Sequence, residues 1–108
     1  MPEKGDIVLV TFPFTDLSGE KQRPALVVAR TADHCVTLFV TSRLYGEKKW
    51  QVAVRPNKEN GLVVPSVIRC DKIASFDLRI VRGAIGTASP AIMRAVDAKL
   101  RRLLSLGR

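Results

Sequence analysis

Two residues with complementary chemistry, Arg69 and Asp71, lie two positions apart in the apolar segment formed by residues 65–71. Asn60 and Gly61 precede this segment as turn formers, and the pattern predicts a strand. Side chains alternate between the two faces of a strand, so Arg69 and Asp71 should emerge on one face. A guanidinium beside a carboxylate can hold a phosphate and exchange a proton. It can equally be a surface ion pair, and these two residues alone do not decide between the two interpretations.

Further polar side chains occur at the ends of two other predicted strands. Arg23 precedes the apolar residues 25–29, and Thr41 and Ser42 follow the apolar residues 35–40. If these strands form a hairpin, the start of the first lies beside the end of the second, so Arg23 and Thr41 become neighbours. Arginines, hydroxyls and a carboxylate suit phosphodiester cleavage without a metal ion. The 2′-hydroxyl of RNA can attack its own phosphorus when one group accepts its proton and cations stabilise the phosphorane.

The rest of the chain predicts short strands joined by loops rich in turn formers. Residues 5–12 are apolar and β-branched on both faces, which predicts a central strand. Residues 50–54 alternate and predict another strand, and residues 78–86 predict a short closing strand interrupted by two glycines. Five or six such strands predict a mainly β fold, a small antiparallel barrel, in a single domain over residues 1–108.

The last segment of the sequence predicts an amphipathic helix. Ser89 can cap its N-terminus with Pro90 at the first helical position, and Gly107 fits its C-terminal cap. Because burying an apolar stripe stabilises a small domain, we expect this helix to pack on the sheet. The stripe consists of Met93, Val96, Leu100, Leu103 and Leu104.

The composition is that of a small basic protein. The 108 residues include 18 Lys and Arg against 10 Asp and Glu, which gives a net charge of +8 and an isoelectric point near 10.2. This excess favours nucleic acid or an acidic protein tail as partner. No apolar segment reaches the roughly 18 residues that span a bilayer and no signal peptide is recognisable, so we expect a cytoplasmic protein without membrane contact. Two cysteines and one histidine at no ligand spacing predict neither a metal site nor a cofactor.

Several other residues are weaker candidates for function. His34, the single imidazole, lies in a turn at the start of the strand that Thr41 ends, so a catalytic role is not favoured. Tyr45 and Trp50 flank a basic pair and can stack on bases, although Trp50 fits a core or interface position equally well. The predicted RNA-binding side chains are Ser42, Arg43, Lys48 and Lys49.

Three motifs, in this order, resemble those of the MazF/PemK-like toxins of type II toxin–antitoxin systems. The first combines residues 5–14 with Arg23 and Pro24, the second is residues 40–42, and the third is residues 66–71 in the form found in Kid and PemK toxins. The predicted helix follows them. The resemblance extends over essentially the whole chain.

This resemblance implies an SH3-like barrel, a homodimer, and metal-independent, sequence-specific cleavage of single-stranded RNA that leaves a cyclic phosphate or its hydrolysed form. It also implies an antitoxin whose acidic, disordered tail occupies the RNA groove. Carried onto this sequence, the family pattern assigns Arg23 to stabilisation of the phosphorane and Thr41 to holding the phosphate. Arg69 is then an acid or a phosphate ligand, and Asp71 is the base.

The sequence departs from the relatives that carry a histidine in the loop after the first strand, because residues 15–22 contain none. Either Asp16 or Glu20 takes part of the role of that histidine, or proton transfer depends on Asp71 and the arginines. A weakened or inactive ribonuclease is one consequence of this departure. Two other functions stay open at this point. One is a CcdB-like toxin that poisons gyrase, and the other is a non-catalytic module that binds nucleic acid through its basic surface.

Overall fold

The computed structural model describes residues 2–13, 20–44 and 46–107, and over these ranges it contains one antiparallel sheet and one helix. The mainly β class with a C-terminal helix is confirmed. Tyr45 and Asp16 lie outside the described residues, as does the side chain of Glu20. The elements are β1 (Asp6–Pro13), β2 (Glu20–Arg30), β3 (His34–Thr41), β4 (Gln51–Val54), β5 (Ser66–Asp77), β6 (Val81–Thr87) and α1 (Pro90–Leu103), with short 3₁₀ turns at Lys48–Trp50 and Leu78–Ile80.

The six strands described here pair in the order β4-β5-β3-β2-β1-β6. The sheet is not closed into the predicted barrel, because its ladders give β4 the single neighbour β5 and β6 the single neighbour β1. The segment between β4 and β5 contacts β6 instead, and Thr87 N donates a hydrogen bond of 2.7 Å to Glu59 O.

Two strands are longer than the sequence predicts. β2 starts at Glu20 rather than Ala25, so Pro24 lies inside it, opposite Leu9 of β1. Proline is tolerated there because the ladder between β2 and β3 begins only at Ala25, which leaves no partner on that side requiring its missing N–H. β5 continues to Asp77.

Both faces of the sheet bury apolar side chains, as the apolar strands predict. One cluster contains Ile7, Leu26 and Ile68 and packs against Val96 of α1. The cluster of the opposite face contains Val8, Val10, Ala25, Val27 and Cys35. α1 therefore covers one face, and Phe76, Leu78 and Val81 pack against the cluster of the other face.

The helix begins as predicted and ends differently. Ser89 Oγ accepts the backbone N–H of Ile92 at 3.1 Å, and Pro90 takes the first helical position. The prediction of Gly107 as the C-terminal cap is wrong, because the helix ends at Leu103 and Ser105 adopts a left-handed conformation with φ of 55°. No helix among the described residues is long and apolar enough to cross a membrane.

Candidate active site

Arg23 and Thr41 are brought together at one end of the hairpin formed by β2 and β3. Ala25 lies opposite Phe39, and continuation of the same register places Arg23 opposite Thr41. Both residues line a cleft of about 320 Å³ that also includes Ser42 and several apolar residues. The Thr41 hydroxyl accepts the backbone N–H of Arg43 at 3.1 Å, so the chain turns away from the sheet directly after β3. The cleft thus offers a guanidinium and two hydroxyls to an anionic ligand.

Arg69 and Asp71 form a two-point ion pair on β5. Arg69 Nη2 lies 3.1 Å from Asp71 Oδ2, and Arg69 Nε donates to Asp71 Oδ1 at 3.3 Å. The two side chains meet because they share a strand face, as the spacing predicts. The Arg69 side chain is 8% exposed, whereas the Asp71 side chain is 24% exposed. The carboxylate is therefore the member of the pair that a substrate reaches more easily.

A loop glycine covers the guanidinium of Arg69. Gly46 has φ of +97°, and a Cβ placed there would lie 2.8 Å from Arg69 Nη2. On the sheet, Arg69 has Phe39 of β3 on one side and Gln51 of β4 on the other. The guanidinium is thus enclosed by two strands, an ion-pair partner and a loop backbone, which holds the Asp71 carboxylate in one orientation.

The two halves of the predicted site occupy the same face of the sheet. Thr41 is opposite Val67, two residues before Arg69, so Thr41 and Arg69 are diagonal cross-strand neighbours. Such neighbours have Cα atoms about 7–8 Å apart, within reach of one nucleotide. Because Ile68 and Cys70 belong to the core cluster on the α1 side, Arg69 and its partner residues lie on the face opposite the helix. All the predicted catalytic residues therefore share that face: Arg23, Thr41, Arg69 and Asp71.

The predicted RNA-binding residues lie in and after the segment that leaves β3. Arg43, Lys48 and Lys49 are exposed. Lys49 Nζ is 3.6 Å from a Glu47 carboxylate oxygen and 5.3 Å from the centre of the Trp50 ring. Lys49 therefore interacts with neighbouring residues of its own segment.

His34 lies at the other end of β3 from Thr41, so the structure does not bring it to the site. Its Nδ1 is 2.9 Å from Asp33 Oδ1, and this hydrogen bond raises the pKa of His34 above its usual value. The same bond lowers the pKa of Asp33. His34 is exposed and faces Asp77 across the ladder. Its surroundings are those of a surface ion pair.

The cysteines are buried and unpaired with each other. Cys70 packs in the core cluster on the α1 side, and burial raises the pKa of its thiol to about 11. Burial also raises the pKa of Cys35. Neither thiol is placed to act as a nucleophile. Within the described ranges, no three His, Cys, Asp or Glu side chains come together as metal ligands.

Sequence reasoning missed several residues that shape the site. Gly46 could be identified only as a loop glycine, because nothing in the sequence places it on Arg69. Leu62, Val63 and Val64 form a wall of the Arg23 cleft, and the sequence predicted no role for these residues. The turn formers Asn60 and Gly61 were the available signal, since they indicate a sharply shaped backbone just before that wall.

Comparison with protein families supplies an independent line of evidence. The family described as PemK-like, MazF-like toxin of type II toxin–antitoxin system matches residues 3–104. None of the curated protein sequences compared with the chain gives a significant match.

Solved structures with the same fold cover nearly the whole chain. MazE–MazF (Form-II) from Deinococcus radiodurans has a TM-score of 0.80 and 26% identity, covering 98% of this chain and 97% of its own. An endoribonuclease in complex with its cognate antitoxin, from a mycobacterial species, has a TM-score of 0.77 and 19% identity, covering 100% and 99%. The Mycobacterium tuberculosis toxin MazF-mt6 has a TM-score of 0.76 and 21% identity, covering 95% and 99%.

Proposed function

The chain belongs to the PemK-like, MazF-like toxin family of type II toxin–antitoxin systems, and we propose that it is an endoribonuclease that cleaves single-stranded RNA. The observation that carries this proposal is the common sheet face of Arg23, Thr41, Arg69 and Asp71, on which Thr41 is beside Arg23 and diagonal to Arg69. A phosphate held by Arg23 and Thr41 would lie within about one nucleotide of a carboxylate that can accept a proton.

The proposed reaction is an internal transfer within the RNA. The 2′-hydroxyl oxygen forms a bond to the adjacent phosphorus, its proton moves to the Asp71 carboxylate, and the bond from phosphorus to the 5′ oxygen breaks. The products are a 2′,3′-cyclic phosphate and a 5′-hydroxyl, whose proton comes from water. Arg23 stabilises the negative charge of the phosphorane, and the Thr41 hydroxyl holds a non-bridging oxygen. No external nucleophile is required.

We assign Arg69 to electrostatics and positioning rather than to acid catalysis. A guanidinium keeps its proton at physiological pH, so it is a poor proton donor to the leaving oxygen. Its hydrogen bonds to both Asp71 oxygens orient the carboxylate, and its charge supplements that of Arg23. Direct contact between Arg69 and a phosphate would require displacement of the Gly46 backbone.

The partners follow from the family and from charge. Relatives are found in complexes of MazF with MazE and of an endoribonuclease with its cognate antitoxin. An antitoxin with an acidic, disordered tail matches the net charge of +8 and would compete with RNA for the same face. We further propose a homodimer that acts on RNA in the cytoplasm.

The test uses the purified protein with mixed-sequence RNA in the presence of EDTA. We expect discrete fragments ending in a cyclic phosphate, and we expect them to disappear with Arg23→Ala and with Asp71→Asn. Intact RNA with salt-sensitive binding would instead indicate a non-catalytic module. Inhibition of supercoiling with intact RNA would indicate a gyrase poison. Either of these outcomes would overturn the proposal.

A further inference from the structure

Two exposed valines project from the segment between β4 and β5 beside the candidate active site. Val63 is 89% exposed and Val64 is 45% exposed. Both line the cleft that contains Arg23, Thr41 and Ser42. Single exposed apolar residues are common on surfaces, but an adjacent pair bordering a polar catalytic cleft is a feature that binding would explain.

The backbone that carries these valines is firmly held. Asn60 is 2% exposed, its side-chain oxygen accepts the N–H groups of Asn57 and Leu62, and its Nδ2 donates to Arg55 O. Asn60 N in turn donates to Asn57 Oδ1 at 2.7 Å. These bonds define the turn that precedes the valines.

The same turn is fastened to β6. Gly61 has φ of +70° and lies against the carbonyl oxygen of Ile85, so closely that a Cβ would not fit. Gly86 lies equally close to the backbone of Glu59, and Thr87 N donates to Glu59 O. The segment is thus positioned by the sheet itself, and the valines are presented to the cleft on an anchored backbone.

We propose that Val63 and Val64 are specificity-determining residues that contact the base next to the cleaved phosphate. This inference depends on the proposed ribonuclease function. Arg23, Thr41 and Ser42 give the cleft its affinity for phosphate, whereas Leu9, Pro24 and Val40 give it an apolar floor. A nucleotide joins a charged phosphate to a base with apolar faces, which can pack between apolar side chains. The polar residues of the cleft therefore match the phosphate of a nucleotide, and the anchored apolar wall beside them matches its base.

The experiment compares the wild-type protein with the double variant Val63→Ser, Val64→Ser. The matched control is Leu106→Ser, because Leu106 is another exposed apolar residue (67%) and does not line the cleft. Each protein is incubated with a pool of RNA randomised around a central position, and the cut positions are sequenced. We expect the double variant to lose about tenfold in preference for its best base beside the cut, the lower end of the discrimination that apolar contacts in a binding pocket provide. The control should keep the wild-type preference.

The outcomes separate this inference from the function on which it rests. If the wild-type protein cuts RNA and the double variant keeps the same base preferences, the inference is overturned and the ribonuclease assignment stands. If sedimentation shows that the double variant has lost a subunit contact while its base preference is unchanged, the valines belong to an interface and the inference is again overturned. If the wild-type protein leaves the whole pool intact, the proposed function fails, and the inference fails with it.

Discussion

The backbone of Gly46 lies directly against the guanidinium of Arg69, and a Cβ at Gly46 would approach Nη2 to 2.8 Å. This contact and the ion pair to Asp71 together enclose the arginine side chain. The orientation of the candidate base therefore depends on a loop outside the sheet. A change at Gly46 should therefore affect catalysis through the orientation of Asp71.

Gly46→Ala should lower both stability and cleavage. The positive φ costs an alanine about 1–2 kcal/mol, and the new methyl group displaces the Arg69 guanidinium. Urea denaturation and kcat/KM on a short RNA measure the two effects. Gly83→Ala is the matched control, because Gly83 has φ of +129° with nothing within 4 Å of an added Cβ. It should lose stability and keep cleavage, and equal loss of cleavage in both variants would contradict this prediction.

Asp71→Asn should destabilise the protein by about 2 kcal/mol and lower cleavage by at least 10²-fold. The first effect follows because a buried guanidinium loses the charge of a partly exposed partner, and the second because a general base is removed. Chemical denaturation and single-turnover kinetics check them separately. Asp77→Asn breaks a similar Arg–Asp pair with Arg79 in an exposed position, so it should leave cleavage unchanged. Full cleavage by Asp71→Asn would eliminate it as the base.

Arg23→Ala should reduce kcat/KM by about 10²–10³-fold, the usual effect of removing one donor to a transition-state oxyanion. Thr41→Val should lose activity, because it removes the hydroxyl that also accepts the N–H of Arg43. Thr41→Ser keeps that oxygen and should recover most of the rate. Matching circular dichroism spectra establish that the variants are folded. A Thr41→Val variant as active as Thr41→Ser would remove the hydroxyl from the mechanism.

His34 should contribute to stability in a pH-dependent way and contribute nothing to cleavage. Its folded-state pKa is raised above 6.5 by Asp33, so the stabilisation is fully present below pH 6.5 and is lost as the pH rises through the raised value. Denaturation midpoints of wild type and His34→Gln across this range should converge as the pH increases. Cleavage by His34→Gln should equal that of wild type, since Thr41 lies roughly 23 Å along β3. A pH-independent difference would contradict the assignment.

Lys48→Gln should weaken RNA binding and reduce its salt dependence. If Lys48 contacts one phosphate, the slope of log K against log salt should fall in magnitude by about 0.7. Fluorescence anisotropy with a 2′-deoxy-substituted, uncleavable strand gives this slope. Lys4→Gln is the control of equal charge change, because Lys4 pairs with Asp97 of α1 on the helix side, 3.3 Å away. Equal slopes in the two variants would show that only net charge matters.

Local rules predicted a large part of this fold. Period-two alternation placed Arg69 and Asp71 on one face, and hairpin topology placed Arg23 beside Thr41. Both follow from strand geometry, which depends on a few neighbouring residues. The helix start at Ser89 is local in the same sense, because one hydroxyl and one proline define it.

The features that sequence reasoning missed depend on contacts between distant segments. The burial of Arg69 under Gly46 joins a loop to a strand, and the anchoring of residues 57–61 joins another loop to β6. Closure of the sheet likewise depends on whether β4 and β6, which are far apart in the sequence, pair with each other. The predicted helix end was wrong for a different reason. Ser105 adopts a left-handed conformation two residues before Gly107, the residue for which the sequence predicts it.

The central position of β3 has a consequence for biosynthesis. Thr41 lies on β3, whereas Asp71 follows thirty positions later, on β5. β3 pairs with β5 along one edge and with β2 along the other. A nascent chain that has not yet emerged beyond β5 holds no complete set of reacting groups. The candidate site is therefore assembled only when β5 pairs with β3.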